Sequence, residues 1–389
     1  MRLVALYISI VLIYSSSAQA SVLDEFEELM EVDTLFNNSI DFDLSGNCSS
    51  CSTSCSTTCC PSDCSVPMMI GDGGLLQPRV ISSGSRLFYM QNHVSKVSEN
   101  NSALPQDRIG VNFSALQDVS IGRRGGSTVI DNLQEYRFFV EKTIFDGAAS
   151  LDFFVPIYNS TESQITTIQE FGVGPQVHGE FGDLAFGIKG LLHNSDSLAV
   201  SLGLRVEAPT RQDVLIENSE TRLNDDVWHF TPYLAMQSSL TPNLFVNGFA
   251  AYRLNSTTMN ASSNAGTNSI REPTYLMVDG SVGYWLIRRP HRRGLTGLAS
   301  ILELHYTTTP EREDLLRREG IPTTGVALGH TDYLNLTAGL TSRWNERVSV
   351  TGAFAVPLRS NAIYSNNAVI GPTDRTYDWS FLLNLDYKF

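Results

Sequence analysis

Past its first twenty residues, the sequence has no run of the roughly eighteen uncharged apolar residues that a membrane-crossing helix needs. Charge is scarce as well. Asp, Glu, Lys and Arg make up 17% of the 389 residues, and 27 basic side chains face 41 acidic ones for a net charge of -14. Such a chain lacks the basic face that a nucleic-acid partner requires. Cysteine is confined to one short stretch, His occurs only 7 times, and no G-x-S-x-G nucleophile motif is present. What is abundant is apolar and aromatic: 42% hydrophobic residues, with 14 Tyr, 19 Phe and 29 Gly. That is too apolar for disorder. Without long apolar runs, it suits an all-β protein in contact with lipid, with a soluble β-sandwich as the competing reading.

The chain opens "MRLVALYISIVLIYSSSAQA". One Arg, an apolar stretch from Leu3 to Tyr14 and the small-x-small end Ala18-Gln19-Ala20 have the form of a secretory signal peptide. Cleavage is expected before Ser21, with an uncleaved anchor helix as the alternative. Leu23, Phe26, Leu29, Met30 and Leu35 then fall near helical spacing on an acidic background, which predicts a short amphipathic helix. From Asn37 to about Gln77 periodicity is low and the segment reads as a linker. It holds Cys48, Cys51, Cys55, Cys59, Cys60 and Cys64, disulfide candidates in an exported protein. The adjacent Cys59-Cys60 and the lack of nearby His fit a metal site poorly, and no cofactor is expected. Residues 21–105 are thus expected to form a periplasmic segment and a possible plug.

From about Asp107 alternation becomes the rule. Ile109, Val111, Phe113 and Ala115 interleave with Arg108, Gly110, Asn112 and Ser114. The same grammar recurs through to Trp379, Phe381, Leu383, Leu385, Tyr387 and Phe389, giving about twelve strands of ten or so residues, long enough to cross a bilayer at a tilt. The connections sort by length. Long ones at 117–132, 158–181, 209–226, 255–273, 309–332 and 359–377 alternate with short ones at 145–147, 194–197, 241–243, 288–294 and 343–347. A sandwich has no reason to sort its loops by face, whereas an outer-membrane barrel does. The expected fold is therefore an all-β, transmembrane, antiparallel up-and-down barrel over 106–389. The stretch 85–94 lies outside the register, as a lead into the barrel mouth or a strand pairing in the periplasm.

Alternation assigns faces. Trp228, Tyr252, Tyr284, Trp344, Trp379, Tyr387 and Phe389 fall at strand ends on the lipid side, as aromatic girdles do. The inward register carries the charge: Arg108, Glu135, Arg137, Glu141, Asp152, Asp183, Lys189, Arg205, Glu207, Arg253, Asp279, Glu303, His305, Arg343, Arg347 and Asp386, with Lys388. Charge at this depth must face water or a partner of opposite sign. A set this evenly divided between acids and bases fits either a wet pore or a salt-bridged, plugged lumen. His229 also points inward. A lipid hydrolase is the remote alternative, without a motif in its support.

The stretch "GDLAFGIKGLLHNSDSLAVSLGLRVEAPT" (182–210) resembles outer-membrane transporters of the phenol-degradation MetA pathway type. Gly182, Asp183, Leu184, Lys189, Pro209 and Thr210 match their strand pair, and "TPNLFVNG" (241–248) resembles a later turn. Arg211 stands where that pattern has Gly, and the Cys-rich N-terminus is foreign to it. The resemblance implies a barrel that passes small solutes, hydrophobic or aromatic ones among them. The expected partners are outer-membrane lipid, a small-molecule solute, and the barrel-assembly machinery reading the C-terminal strand, in the outer membrane of a Gram-negative-type bacterium.

Overall fold

In the computed structural model, the described residues are 66–83, 86–124, 127–160, 178–211, 214–216, 221–224, 226–263, 266–270, 272–289, 292–310, 323–326, 332–359, 364–365, 368–369, 375 and 377–389. The Cys cluster, the leader and the acidic segment lie outside them. Twelve antiparallel strands form the wall. They are β1 (Arg108–Arg124), β2 (Ser127–Ile144), β3 (Ala149–Ser160), β4 (Ala185–Asn194), β5 (Leu198–Glu207) and β6 (His229–Ser239). β7 (Leu244–Asn255), β8 (Tyr275–Arg288), β9 (Leu295–Thr308), β10 (Asp332–Trp344), β11 (Val348–Pro357) and β12 (Trp379–Lys388) complete it. Each strand pairs with its neighbours in sequence, and β12 closes on β1 in a register running from Trp379↔Gln117 to Lys388↔Arg108. Closure leaves the sheet no open edge.

The two-residue period decides which side chains meet lipid. In β6 the outward residues Phe230, Leu234 and Met236 are exposed, while His229, Thr231, Tyr233, Ala235 and Gln237 between them are buried inward. β12 repeats this, with Ser380, Leu382, Asn384 and Asp386 buried inside. Short turns close one end of the barrel. Phe145, Asp146 and Gly147 all take positive φ, as do Asn345 and Glu346, and Asp, Asn and Gly tolerate that region best.

The other end carries the long connections, and there the first differs from expectation. Residues 117–132 continue β1 and β2 as a paired hairpin almost to its tip, with register shifts between Leu116 and Val119 and between Ser120 and Gly122. These irregularities break the period that the sequence reading relied on. Further short strands, Val214–Ile216, Thr221–Asn224, Met259–Ser263 and Gly266–Ile270, make a separate four-stranded sheet from two of the long connections.

Residues 75–94 also sit at this end. Leu75–Ser83 and Arg86–Val94 form an antiparallel hairpin, and the first of these strands pairs with Thr323–Val326 of a long connection. The stretch 85–94 is thus a strand at the long-loop end, in a sheet separate from the wall.

Candidate functional site in the barrel lumen

The lumen is occupied by the chain itself. Val66 packs with Phe245, Trp285, Ala299 and Ile301 near the short-turn end. Leu75 and Val94 pack in one cluster with Tyr275 and Tyr333, at the strand ends that follow long connections. Residues 66–75 therefore run from the short-turn end to the long-loop end. The hairpin turns the chain around, and residues 94–107 run back to enter the wall at Arg108. A linker, the sequence reading of 66–77, is not what forms here: Met69, Ile70, Asp72 and Leu75 are all buried.

The first arm is kinked at "GDGG". Gly71, Gly73 and Gly74 have φ of 102°, 87° and 81°, a region L side chains rarely adopt. A Cβ on Gly74 would lie 2.5 Å from His93 Nε2, so only Gly lets the two arms approach this closely. The kink leaves backbone groups free to bond the wall. Glu303 accepts the Ile70 and Gly71 amides at 2.8 and 2.9 Å. Thr337 Oγ1 donates to the Gly71 carbonyl at 2.8 Å, and the Tyr377 hydroxyl donates to the Asp72 carbonyl at 2.8 Å.

Ion pairs form the middle layer. Lys96 Nζ lies 2.6 Å from Asp72 Oδ2, which also accepts from Asn335 Nδ2 at 2.8 Å. Asp279 accepts from Ser98 Oγ at 2.7 Å and lies 3.0 Å from His305 Nδ1. The other ring nitrogen of His305 is 3.2 Å from Glu303 but off the line of a hydrogen bond, so that contact is electrostatic. Arg137 Nη2 bonds Glu99 at 2.6 Å. Nearer the short turns, Glu141 gathers Arg108 Nε at 2.7 Å and Lys189 Nζ at 2.9 Å, and Lys189 also donates to the Ser102 carbonyl at 2.8 Å. Asn100 Nδ2 reaches Asn112 and Asp386 at 2.6 and 3.0 Å.

At the short-turn rim, Asp107 accepts the Thr143 amide and hydroxyl at 2.7 Å each, and Lys142 at 2.9 Å. Partial burial pushes its carboxyl up, but these bonds outweigh that and hold it below the usual carboxylate range.

The inward charges expected from alternation mostly converge on this network. Arg108, Glu135, Arg137, Glu141, Asp152, Lys189, Arg205, Glu207, Arg253, Asp279, Glu303, His305 and Asp386 are all buried in the lumen. Their protein partners are the two arms and one another. Arg347 departs from the expectation. It is exposed in the turn after β10, because the positive-φ residues Asn345 and Glu346 end the alternation one residue earlier. Arg343 is half-buried at the rim, its guanidinium 4.9 Å from the Trp285 ring centre. Trp228, Tyr252 and Trp379 lie on the outer face at the long-loop end, and Tyr284, Trp344, Tyr387 and Phe389 at the short-turn end.

Asp183 occupies a break in the wall. Strand pairing to β3 runs through Ala185 to Gly190 and resumes at His178 to Phe181, skipping 182–184. There Asp183 Oδ1 accepts the Thr210 and Arg211 amides at 3.0 Å each, and Thr210 Oγ1 accepts the Leu184 amide at 2.9 Å. The Gly-Asp-Leu and Pro-Thr stretches, far apart in sequence, thus clasp each other at the end of β4 and β5. Alternation does not single out Asp72, Lys96, Ser98, Glu99 and Asn100. Their signal was the run of closely spaced glycines around Asp72 and two charges in an otherwise polar, aperiodic stretch.

Residues 107–296 match the family model described as "Putative MetA-pathway of phenol degradation". Over those residues the chain resembles that family. Among solved structures it is similar to the COG4313 outer membrane channel from Pseudomonas putida F1, with 13% identity and a TM-score of 0.45 over 76% of this chain and 100% of that one. It is also similar to the NanC porin, with 9% identity and a TM-score of 0.42 over 72% and 100% of the two chains. LpxR from Salmonella typhimurium gives 10% identity and a TM-score of 0.38 over 72% and 100%. Among curated proteins none matches the sequence.

Proposed function

We propose that the protein is an outer-membrane channel for small solutes, shut in this conformation by residues 66–107 and opened when that segment moves. One observation carries the reading: the segment adds no strand to the wall. It is attached by hydrogen bonds and ion pairs such as Glu303 to the Ile70 and Gly71 amides and Arg137 to Glu99. Polar groups of this kind trade partners with incoming water, recovering the desolvation cost of their burial. A ladder continuous with the barrel sheet would offer no such exchange.

The leader "MRLVALYISIVLIYSSSAQA" and the sorted loops support export, with the short turns on the periplasmic side. The family description speaks of phenol degradation, so aromatic solutes are the first class to test. Catalysis is not part of this reading. Ser98, on the returning arm, gives its hydroxyl hydrogen to Asp279 rather than to His305, and all three side chains are buried.

Planar-bilayer recording tests the reading. Full-length protein is expected to open rarely, and a chain lacking residues 66–105 to conduct steadily. Silence from both forms would refute the channel. It would favour a second reading, a structural or surface-interaction barrel, which the pairing of the 75–83 strand with Thr323–Val326 at the long-loop end supports.

A further inference from the structure

Between the returning arm and the wall at β2 to β5 and β7 lies a cavity of about 20 Å³. Arg137, Arg205, Arg211, Arg253, Tyr158 and His93 line it. Arg137 and Arg205 are buried, with 4% and 2% of their surface exposed. Arg137 spends Nη2 on Glu99, and its Nε and Nη1 hydrogens meet no acceptor. Arg205 donates Nη1 to the Lys96 carbonyl at 3.1 Å and lies over the Phe154 ring at 4.2 Å, which leaves its Nε without an acceptor.

Unmet donors on buried cations are costly, more so than on neutral groups. The acids nearby are committed elsewhere. Glu207 pairs with Arg253, and Asp183 is held by the Thr210 and Arg211 amides. Asp152 has an unbonded oxygen, but it does not line the space. The lining itself holds four guanidiniums and two carboxylates; behind it Glu99 is taken by Arg137 and Glu135 stands 3.7 Å from His93 Nδ1, and neither reaches the free Arg137 and Arg205 hydrogens. The volume holds about one water-sized group, and between cations an anion outcompetes water as the acceptor.

We propose that this cavity binds a single compact anionic group, either a chloride ion or one carboxylate of an organic acid. Two features argue for a built site. Its donors come from separate strands, β2 and β5. Its wall includes Gly182 and Asp183, part of the clasp through which the chain resembles its family. A bound anion would tie the returning arm to the wall at Lys96 and Glu99 whether or not solutes pass, so the site stands apart from conduction.

Chloride NMR linewidth reads occupancy directly. Full-length protein in detergent, with gluconate as background salt, is expected to broaden the chloride line. Arg205→Gln should lose roughly half or more of the excess, and Arg293→Gln, in an exposed turn, should lose none. Formate and benzoate should reverse the broadening, while sulfate, too large for the space, should not. Stronger reversal by benzoate than by formate identifies an organic acid as the occupant, and equal reversal identifies chloride. Folding is checked by heat-modifiable gel mobility. If Arg205→Gln fails to fold, Arg205→Lys, which removes Nε and keeps the charge, takes its place. Broadening unchanged in a folded Arg205 variant, or reversal by sulfate as strong as by formate, would overturn the site.

Discussion

Lys96 and Asp72 meet in the middle of the lumen, Nζ to Oδ2 at 2.6 Å, with both side chains fully out of water. The two residues belong to opposite arms of the occluding segment, so this pair ties its two halves together alongside the Met69 amide to Asn101 carbonyl and the His93 to Gly73 carbonyl contacts. Removing one partner strands a buried charge, which costs about 3–5 kcal/mol, whereas replacing both by apolar groups is often nearly neutral.

Lys96→Met should therefore loosen the segment, and adding Asp72→Leu should restore part of the loss. Hydrogen exchange of peptides from 66–107 is the measurement. The single variant should exchange roughly a hundredfold faster or more, and the double variant less. A single variant that exchanges like the parent would show that the Lys96–Asp72 pair does not hold the arms.

Asp107 sets a pH dependence at the short-turn rim. Its carboxyl is held below the usual range, so it contributes stability above its unfolded-state value, about 3.9. That contribution fades as pH falls through the lower folded value. Asp107→Asn should cost about 1 kcal/mol at neutral pH. The gap between parent and variant should close in strongly acid buffer, as read by urea midpoints. A gap that widens on acidification would contradict the sign.

Orientation is tested by labelling. Thr267→Cys, exposed in the 255–273 connection, should react with an impermeant maleimide on whole cells, and Arg293→Cys should react only after the outer membrane is breached. The reverse pattern would turn the barrel over.

The terminal ring has its own consequence. Phe389 is exposed at 56%, its amide bonds the Asp107 carbonyl at 3.2 Å, and Lys142 sits 5.2 Å from its ring centre. If assembly machinery reads this strand, Phe389→Ala should lower the yield of heat-modifiable barrel in membranes while leaving refolding in detergent intact. An equal loss in detergent would mark the ring as structural only.

The wall was legible because lipid on one side and buried polar groups on the other impose a period of two on every strand, β12 most cleanly. The long-loop end was less so, since the bulges after Leu116 hide two extended strands. The arms were legible only as a possible plug, without the residues that make their contacts. Nothing local distinguishes Asp72 from a solvated linker residue, because its partners Lys96, Asn335 and Tyr377 come from remote parts of the chain. The alternating charges of the wall foretold that something must neutralise them, and the preceding segment was expected there only as a possible plug, with none of its pairing residues identified.

Because both arms pass through the lumen and the second runs directly into β1, the order of assembly is constrained. β1 is also one side of the seam, and its partner β12 is made after the other eleven wall strands. The hairpin at 75–94 lies beyond the far mouth, so it must be in place before the seam shuts or be threaded through a finished cylinder. Wrapping is the shorter route: the wall curls around a pre-placed loop, and the final strand fastens the enclosure. A chain truncated before β12 would leave that loop uncaged.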